Sequence, residues 1–467
     1  MVYCVHPLNK VFAIMIEQIL FVLVALAGLG YALWQFGKVR RNVLLGKDET
    51  ISGNPGKRLR NMLLVAFGQG KMFSNWVAGI FHFFIYAAFL ITVIELIEIF
   101  ADGIFGFHRY FAPMLGGFYT FVISFIEVLS VLAFVATIIF LARRNLLKVP
   151  RFHKPEMKGW PFLDANLILI LEILLIISIF SMNGADILLQ QMDPAHYHDT
   201  GNLAITSWMG PALFSGMNAE SLHVVERFGW WLHILVVLGF LNYLPKSKHL
   251  HIILSFPNTY FARLTPRGQM ENMPEVTKTV QSFFEPEGAD MDEDEEIPSF
   301  GVNDIFDLSW KTLLDAYTCT ECGRCTASCP ANLTGKKLSP RKIVMDIRDR
   351  MEEVGRKLDS KDPQYIREDL RGEAVQLSKE NFSDGKSLFD SISQEELYAC
   401  TTCNACVEAC PVLINPMDPI LKMRRYEILT ESKGPSDWMP MFSSIENGGS
   451  PWQMPVTRDQ WANEIKD

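Results

Sequence analysis

Lysine and arginine are all but missing from two polar stretches of this chain. Residues 191–223 contain neither, and residues 101–113 contain only Arg109. Cysteine is scarce as well, with none between Cys4 and Cys319 and none after Cys410. The first absence excludes both stretches as cytoplasmic loops if the chain crosses a membrane, because such loops carry the excess of basic residues. The second leaves only Cys4, to which no role is assigned, outside one C-terminal region. No kinase-like or DNA-binding segment is visible, so no nucleic-acid partner is expected.

What the chain does have is apolar sequence. Its 467 residues would suggest roughly three domains by length alone, but 33 phenylalanines and a positive mean hydropathy point to a membrane-embedded half. Apolar runs cover Val11 to Phe36, Trp76 to Phe100, Met114 to Ala142, Phe162 to Gln190 and Val224 to Leu244. At about 1.5 Å per residue, each is long enough to be read as a helix crossing a hydrocarbon layer of roughly 30 Å. Lys38, Arg40 and Arg41 follow the first run, so it reads as a retained helix and not a cleaved signal peptide, whose charges would come first. Met15 is an alternative start to Met1. The loop 37–74 holds eight lysines and arginines and the loop 143–161 holds six. The expected topology therefore has the N-terminus outside and everything after Leu244 in the cytoplasm, with the chain in the inner membrane.

The cysteines stand in two groups. Cys319, Cys322, Cys325 and Cys329-Pro330 repeat the spacing of Cys400, Cys403, Cys406 and Cys410-Pro411. Each reads C-x2-C-x2-C-x3-C-P, the bacterial ferredoxin run in which three thiolates hold one iron-sulfur cluster and the fourth reaches the other. Two runs imply two clusters. Zinc uses paired C-x2-C units and has no reason to add a third close cysteine and a Cys-Pro. Disulfides are disfavoured by poor geometry at this spacing and by a reducing cytoplasm.

Polar residues within the apolar runs mark where membrane chemistry can sit, since an ionised group costs about 2.5 to 3.5 kcal/mol at mid-bilayer. Among these are His82, Glu95, Glu98, Glu127, Glu172, Glu226 and His233, with His251 just beyond the last run. Neutral imidazole suits haem iron. If the fifth helix continues through Pro245, His82 and His251 lie at similar depth and can meet around one haem close to the clusters. His233 and His251 are 18 residues apart, which on a continuous helix puts them on one face about 27 Å apart. A second haem would then need a ligand at residues 92 to 95, where Thr92 and Glu95 stand. His108, His196, His198 and His223 are poorly placed to substitute. The alternative is that such histidines only hydrogen-bond neighbouring helices. Glu95 and Glu127 are open to a proton or quinone role, or to a structural one as protonated partners.

Five runs, with His82 in Gly79-Ile80-Phe81-His82, His233 in Trp231-Leu232-His233 and His251 after Pro245 and a basic patch, resemble the cytochrome b gamma subunit of respiratory nitrate reductase and the related membrane subunit of heterodisulfide reductase. That resemblance implies histidine-held b haems exchanging electrons with a quinone. It carries over His82, His233 and His251. Thr92 fills the fourth position, so the resemblance implies one haem b and leaves the second open.

Residues 256–298 read as a linker, acidic from Glu285 to Glu296, of the kind that usually forms a solvated tether. Between the cysteine groups, Ser339-Pro340 before apolar Ile343, Val344 and Ile347 predicts a helix start, and Ser393-Gln394-Glu395-Glu396 predicts another. The insert is thus expected to be helical. With Cys410-Pro411 and Arg424-Arg425, residues 305–430 resemble the helical ferredoxin domain of heterodisulfide reductases and related iron-sulfur oxidoreductases. That resemblance implies one [4Fe-4S] cluster on Cys319, Cys322, Cys325 and Cys410, and another on Cys400, Cys403, Cys406 and Cys329. The further cysteine-rich repeats that relatives use for catalysis do not follow Cys410, which implies a relay.

The expected architecture is all-α: a five-helix transmembrane bundle over residues 1–255, an acidic linker over 256–304, a cytoplasmic α-helical ferredoxin domain over 305–430 and a tail over 431–467. The expected function is electron relay between a cytoplasmic iron-sulfur or flavoprotein subunit and membrane quinone. Two other readings are a haem-free docking anchor for a soluble iron-sulfur complex and a redox sensor.

Overall fold

The computed structural model describes residues 7–270, 272–284, 299–372, 375–452 and 459–465. Cys4 and the acidic run Glu285 to Glu296 lie outside them. The described residues form helices joined by turns and contain no strand.

Among the described residues five helices are long and apolar enough to cross a membrane: α1 (Pro7–Val43), α2 (Trp76–Phe105), α3 (Gly117–Asn145), α4 (Trp160–Met192) and α5 (Ala219–Tyr243). They fall on the five apolar runs. Each is apolar around much of its circumference, which suits helices facing lipid on one side and one another on the other. Their starts and stops follow local chemistry: the Asn75 side chain accepts from Ala78 N at the head of α2, and Gly106 closes its tail in the left-handed region at φ 73°.

Contacts divide the chain into two compact units. The first comprises residues 1–41, 60–259 and 320–322, and the second residues 42–59, 260–319 and 323–467. In the first unit Phe21 of α1, Ile99 of α2, Ile179 and Met182 of α4, and Trp230, Ile234 and Leu238 of α5 form one buried cluster. Helices α4 and α5 pack closely at Gly229, where a Cβ would sit 2.8 Å from the Ser178 carbonyl oxygen. Small residues permit such backbone approach where lipid supplies no hydrophobic drive.

Two acids in the spans have structural roles. Glu127 caps a short helix, Thr206–Phe214, accepting from Ile205 N at 2.7 Å and from the Thr206 hydroxyl. Glu98 accepts the Tyr119 hydroxyl at 2.6 Å and Phe111 N at 3.0 Å.

The second unit carries α6 (Trp310–Thr318), α7 (Arg324–Ala327), α8 (Pro340–Ser360), α9 (Gln394–Tyr398), α10 (Ala405–Ala409) and α11 (Met417–Arg425). Helix α8 starts where the Ser339-Pro340 signal placed it, with the Ser339 side chain accepting from Lys342 N. Helix α9 carries the capping box between Ser393 and Glu396. The insert is less helical than expected, because residues 361–372 and 375–393 run as turns with short 3-10 segments. They are held by charge: Arg350 donates to Asp304 at 2.6 Å, to Asp384 at 2.6 Å and to the Lys386 carbonyl at 3.0 Å. Residues 42–59 also belong here. Lys47 N donates to Leu308 O at 2.7 Å, Trp310 N to Lys47 O at 3.0 Å, and Asn42 Nδ2 to the Tyr317 hydroxyl at 2.8 Å.

Candidate functional site

The two cysteine loops share backbone geometry as well as sequence. Two residues after the first cysteine of each group the chain turns left-handed, at Glu321 (φ 52°) and Thr402 (φ 56°). Two residues further it does so again, at Gly323 (φ 71°, ψ 14°) and Asn404 (φ 61°, ψ 6°). Left-handed residues within a turn aim successive N–H groups into one concavity, the backbone nest that favours anions and recurs at iron-sulfur sites. The third cysteine of each group then sits in a short helix, Cys325 in α7 and Cys406 in α10, and these two helices pack together. Cys329 and Cys410 close the loops with matching backbone, φ −78°, ψ 117° and φ −71°, ψ 123°.

Cys329, Cys400, Cys403 and Cys406 line one recess, walled by Pro330, Ala331, Leu338, Pro340, Met417 and Ile420. One cysteine of the first group is thus brought to three of the second. At the other Cys-Pro, Ile414 N donates to Cys410 Sγ at 3.3 Å, the kind of N–H···S bond that tunes a cluster. Cys319, Cys329, Cys406 and Cys410 are buried, Cys322, Cys325 and Cys400 half-buried and Cys403 exposed, and none is disulfide-bonded. Burial pushes the Cys406 thiol up to about 12 and raises Cys400, with neighbouring cysteines adding to the effect. Thiolates at this site therefore need a cation beside them. Among the described residues no three His, Cys, Asp or Glu side chains converge on a single point as one metal ion requires. A cubane suits wider spacing, since each thiolate meets a different iron.

Arg424, at the end of α11, fixes the entry to the second loop. Its guanidinium donates to Leu397 O at 2.5 Å and to Cys400 O at 2.6 Å, and lies over the Tyr398 ring at 5.1 Å.

The three candidate histidines lie in the first unit. His82 Nδ1 bonds Gln69 Oε1 at 2.9 Å, His251 Nδ1 bonds Lys248 O at 3.0 Å and His233 Nδ1 bonds Ser178 Oγ at 3.2 Å. An imidazole whose Nδ1–H is given to an oxygen presents Nε2 as its lone-pair nitrogen, the arrangement usual in metal-binding histidine. Helix α5 does not continue through Pro245, contrary to the condition set on the sequence. It ends at Tyr243, and 3-10 turns Leu244–Lys246 and Lys248–Leu250 flank an extended Ser247 (φ −119°, ψ 147°). Proline lacks the helical N–H, and Asp164 braces the break, accepting from the Tyr243 and Ser247 hydroxyls and from Lys248 N. The five-turn spacing from His233 to His251 therefore does not apply.

The break brings in a histidine that sequence reasoning misses. His249 packs its ring 5.6 Å from that of His251 and 4.9 Å from Phe240, and its buried Nδ1 has no hydrogen-bond partner. Burial, then the fields of His251 and His82, push it down to about 3, and burial lowers His251, so both rings are neutral. Its signal in the sequence is the basic patch after Pro245, where the 18-residue spacing points to His251 alone.

No comparable set exists at residues 92 to 95. Thr92 Oγ1 donates to its own helix at Ala88 O, 2.8 Å, and Glu95 lies 3.6 Å from Arg109. His108 is occupied at both nitrogens, by Asp186 at 2.8 Å and by His198 N at 3.3 Å. His196 pairs with Asp193 at 2.9 Å, and His223 with the Tyr197 hydroxyl at 2.6 Å. These residues do not fit a second haem.

Comparison with known proteins agrees with the cysteine geometry. Residues 318–414 match the family described as a 4Fe-4S dicluster domain, and the C-terminal part of this chain is such a domain. A probable iron-sulfur-binding oxidoreductase, FadF, of Bacillus subtilis is 30% identical over 449 residues, covering 91% of this chain and 58% of the relative. The EtfAB:quinone oxidoreductase of Syntrophomonas wolfei is 28% identical over 436 residues, covering 90% of this chain and 56% of the relative. One subunit of the ferredoxin:CoB-CoM heterodisulfide reductase of Methanosarcina mazei is 28% identical over 116 residues, covering 25% of this chain and 48% of the relative. The chain thus spans a little over half the length of the first two. No solved structure matches.

Proposed function

We propose that this protein is a membrane-bound subunit that relays electrons one at a time between a cytoplasmic iron-sulfur or flavoprotein partner and membrane quinone. The observation that carries the reading is the recess shared by Cys329 with Cys400, Cys403 and Cys406. Such crossing of one Cys-Pro to the other group is the two-cluster ferredoxin pattern. By the same logic Cys319, Cys322, Cys325 and Cys410 hold the other [4Fe-4S] cluster. Bound there, the clusters supply one-electron carriers whose potentials the N–H···S bonds and burial adjust.

His82 and His251 are the proposed ligands of one haem b, each oriented by an oxygen on Nδ1. His233, bonded to Ser178, is assigned to the helix contact and not to a second haem. The name of the Syntrophomonas relative supports quinone as one redox end.

The cysteine domain is assigned to the cytoplasm. Residues 42–59, from the basic loop between the first two spans, pack in the same unit as most of the cysteines, so loop and cysteines share a compartment. Basic loops face the cytoplasm.

Electron paramagnetic resonance of the reduced, purified protein, together with a pyridine haemochrome assay, tests the assignment. Two interacting cluster signals and one b haem per chain are expected. Absence of haem would leave a docking anchor, and absence of clusters would remove the relay altogether.

A further inference from the structure

Residues 320–322, which end at the second cysteine, belong to the compact unit that also holds residues 60–259. The middle residue is Glu321, a left-handed non-glycine at φ 52°. Its carboxylate is 2% exposed and ion-paired to the ammonium of Lys248, which is 8% exposed. Lys248 Nζ also donates to Pro161 O at 2.6 Å and lies 3.9 Å from Asp164. Lys248 in turn stands beside His249, and its carbonyl receives His251 Nδ1 at 3.0 Å.

A glutamate at this position is otherwise hard to account for. Left-handed backbone costs a residue with a Cβ about 1 to 2 kcal/mol, and the matching residue of the other loop, Thr402, is uncharged and only half-buried. Desolvating a carboxylate costs several kcal/mol more unless it is paired. The charge is nonetheless held one residue from Cys322 and two from Cys319, inside a medium where charges act strongly.

We propose that Glu321 and Lys248 form an electrostatic element that sets the potential of the cluster on Cys319, Cys322, Cys325 and Cys410 apart from that of the other cluster. This rests on the cluster assignment above. Reduction places an extra electron on a cluster beside which Glu321 already holds negative charge, so Glu321 disfavours reduction and Lys248 offsets it. The Cys400 loop, with Thr402 in the same place, lacks this charge.

The test is a redox titration of both cluster signals in the full chain for the parent, Glu321→Gln, Lys248→Met and the double variant. Glu321→Gln is expected to raise one of the two midpoint potentials, and the double variant to bring it back toward the parent, while the other cluster stays in place. A Glu321→Gln midpoint that is unchanged or lowered, or a shift of both clusters alike, would overturn the inference. If Glu321→Gln loses the cluster, Lys248→Met decides: a lowered midpoint supports the element and an unchanged one removes it. A parent without cluster signals would instead sink the assignment on which the inference stands.

Discussion

Asn404 and Gly323 occupy the same place in two copies of one loop. Their backbones differ by only 10° in φ and 8° in ψ, at φ 61°, ψ 6° and φ 71°, ψ 14°. Asparagine is the side chain that best tolerates this left-handed conformation after glycine. Asn404→Gly is therefore expected to keep both clusters. Asn404→Val should cost about 1 to 2 kcal/mol or more and lower occupancy of the Cys400 cluster selectively, as read by iron content and resonance intensity.

Arg424 is expected to matter to the same loop through its backbone. Its guanidinium satisfies the Leu397 and Cys400 carbonyls, and unsatisfied buried acceptors cost about 1 to 3 kcal/mol each. Arg424→Met should halve the cluster content, with the Cys319 cluster retained. Equal loss of both clusters would show that the residue supports the whole unit instead.

Gly46 tests whether residues 42–59 belong to the cluster-bearing unit. A Cβ there would lie 2.5 Å from Leu308 O, so Gly46→Ala forces the bridge between Lys47 and Ser309 apart. Overpacking of this kind costs about 1 to 3 kcal/mol. The variant is expected to lower the melting temperature of the cluster signals while the α-helical content of the spans is unchanged.

The Arg350 clamp gives the second unit an acid limit. Burial raises Asp384, but hydrogen bonds from Arg350 and Lys357 outweigh it and hold the carboxyl below its ordinary value. A depressed folded-state value contributes stability present above the unfolded value, near 3.9, and lost as pH falls through the folded one. Protection of the amides in residues 361–372 and 375–393, relative to their intrinsic exchange rates, should therefore hold down to about pH 4 and fall below it. In Arg350→Gln, protection should already be lost at neutral pH.

The parts of this fold that depend on local chemistry are legible in the sequence. Five apolar runs locate α1 to α5 because a bilayer demands long apolar helices, and Ser339-Pro340 and Ser393 with Glu396 locate helix starts because capping is local. The contact of Asn42 with Tyr317 is not readable, since it joins residues 275 positions apart and neither has a distinctive neighbour pattern. Pro245 is visible, and the break it makes removes the 27 Å spacing from His233 to His251 and brings His249 forward. The pairing of Lys248 with Glu321 is hidden because a lysine in a basic patch and a glutamate between cysteines each look solvated in isolation.

The most direct test of the relay follows cluster reoxidation by a short-chain quinone after anaerobic reduction, in the parent and in His251→Ala. In the parent, the haem bands and both cluster signals are expected to reoxidise together, with quinol as the product. In His251→Ala, which should lose the haem and retain both clusters, the clusters are expected to stay reduced. Cluster reoxidation at the parent rate in that variant would contradict the account.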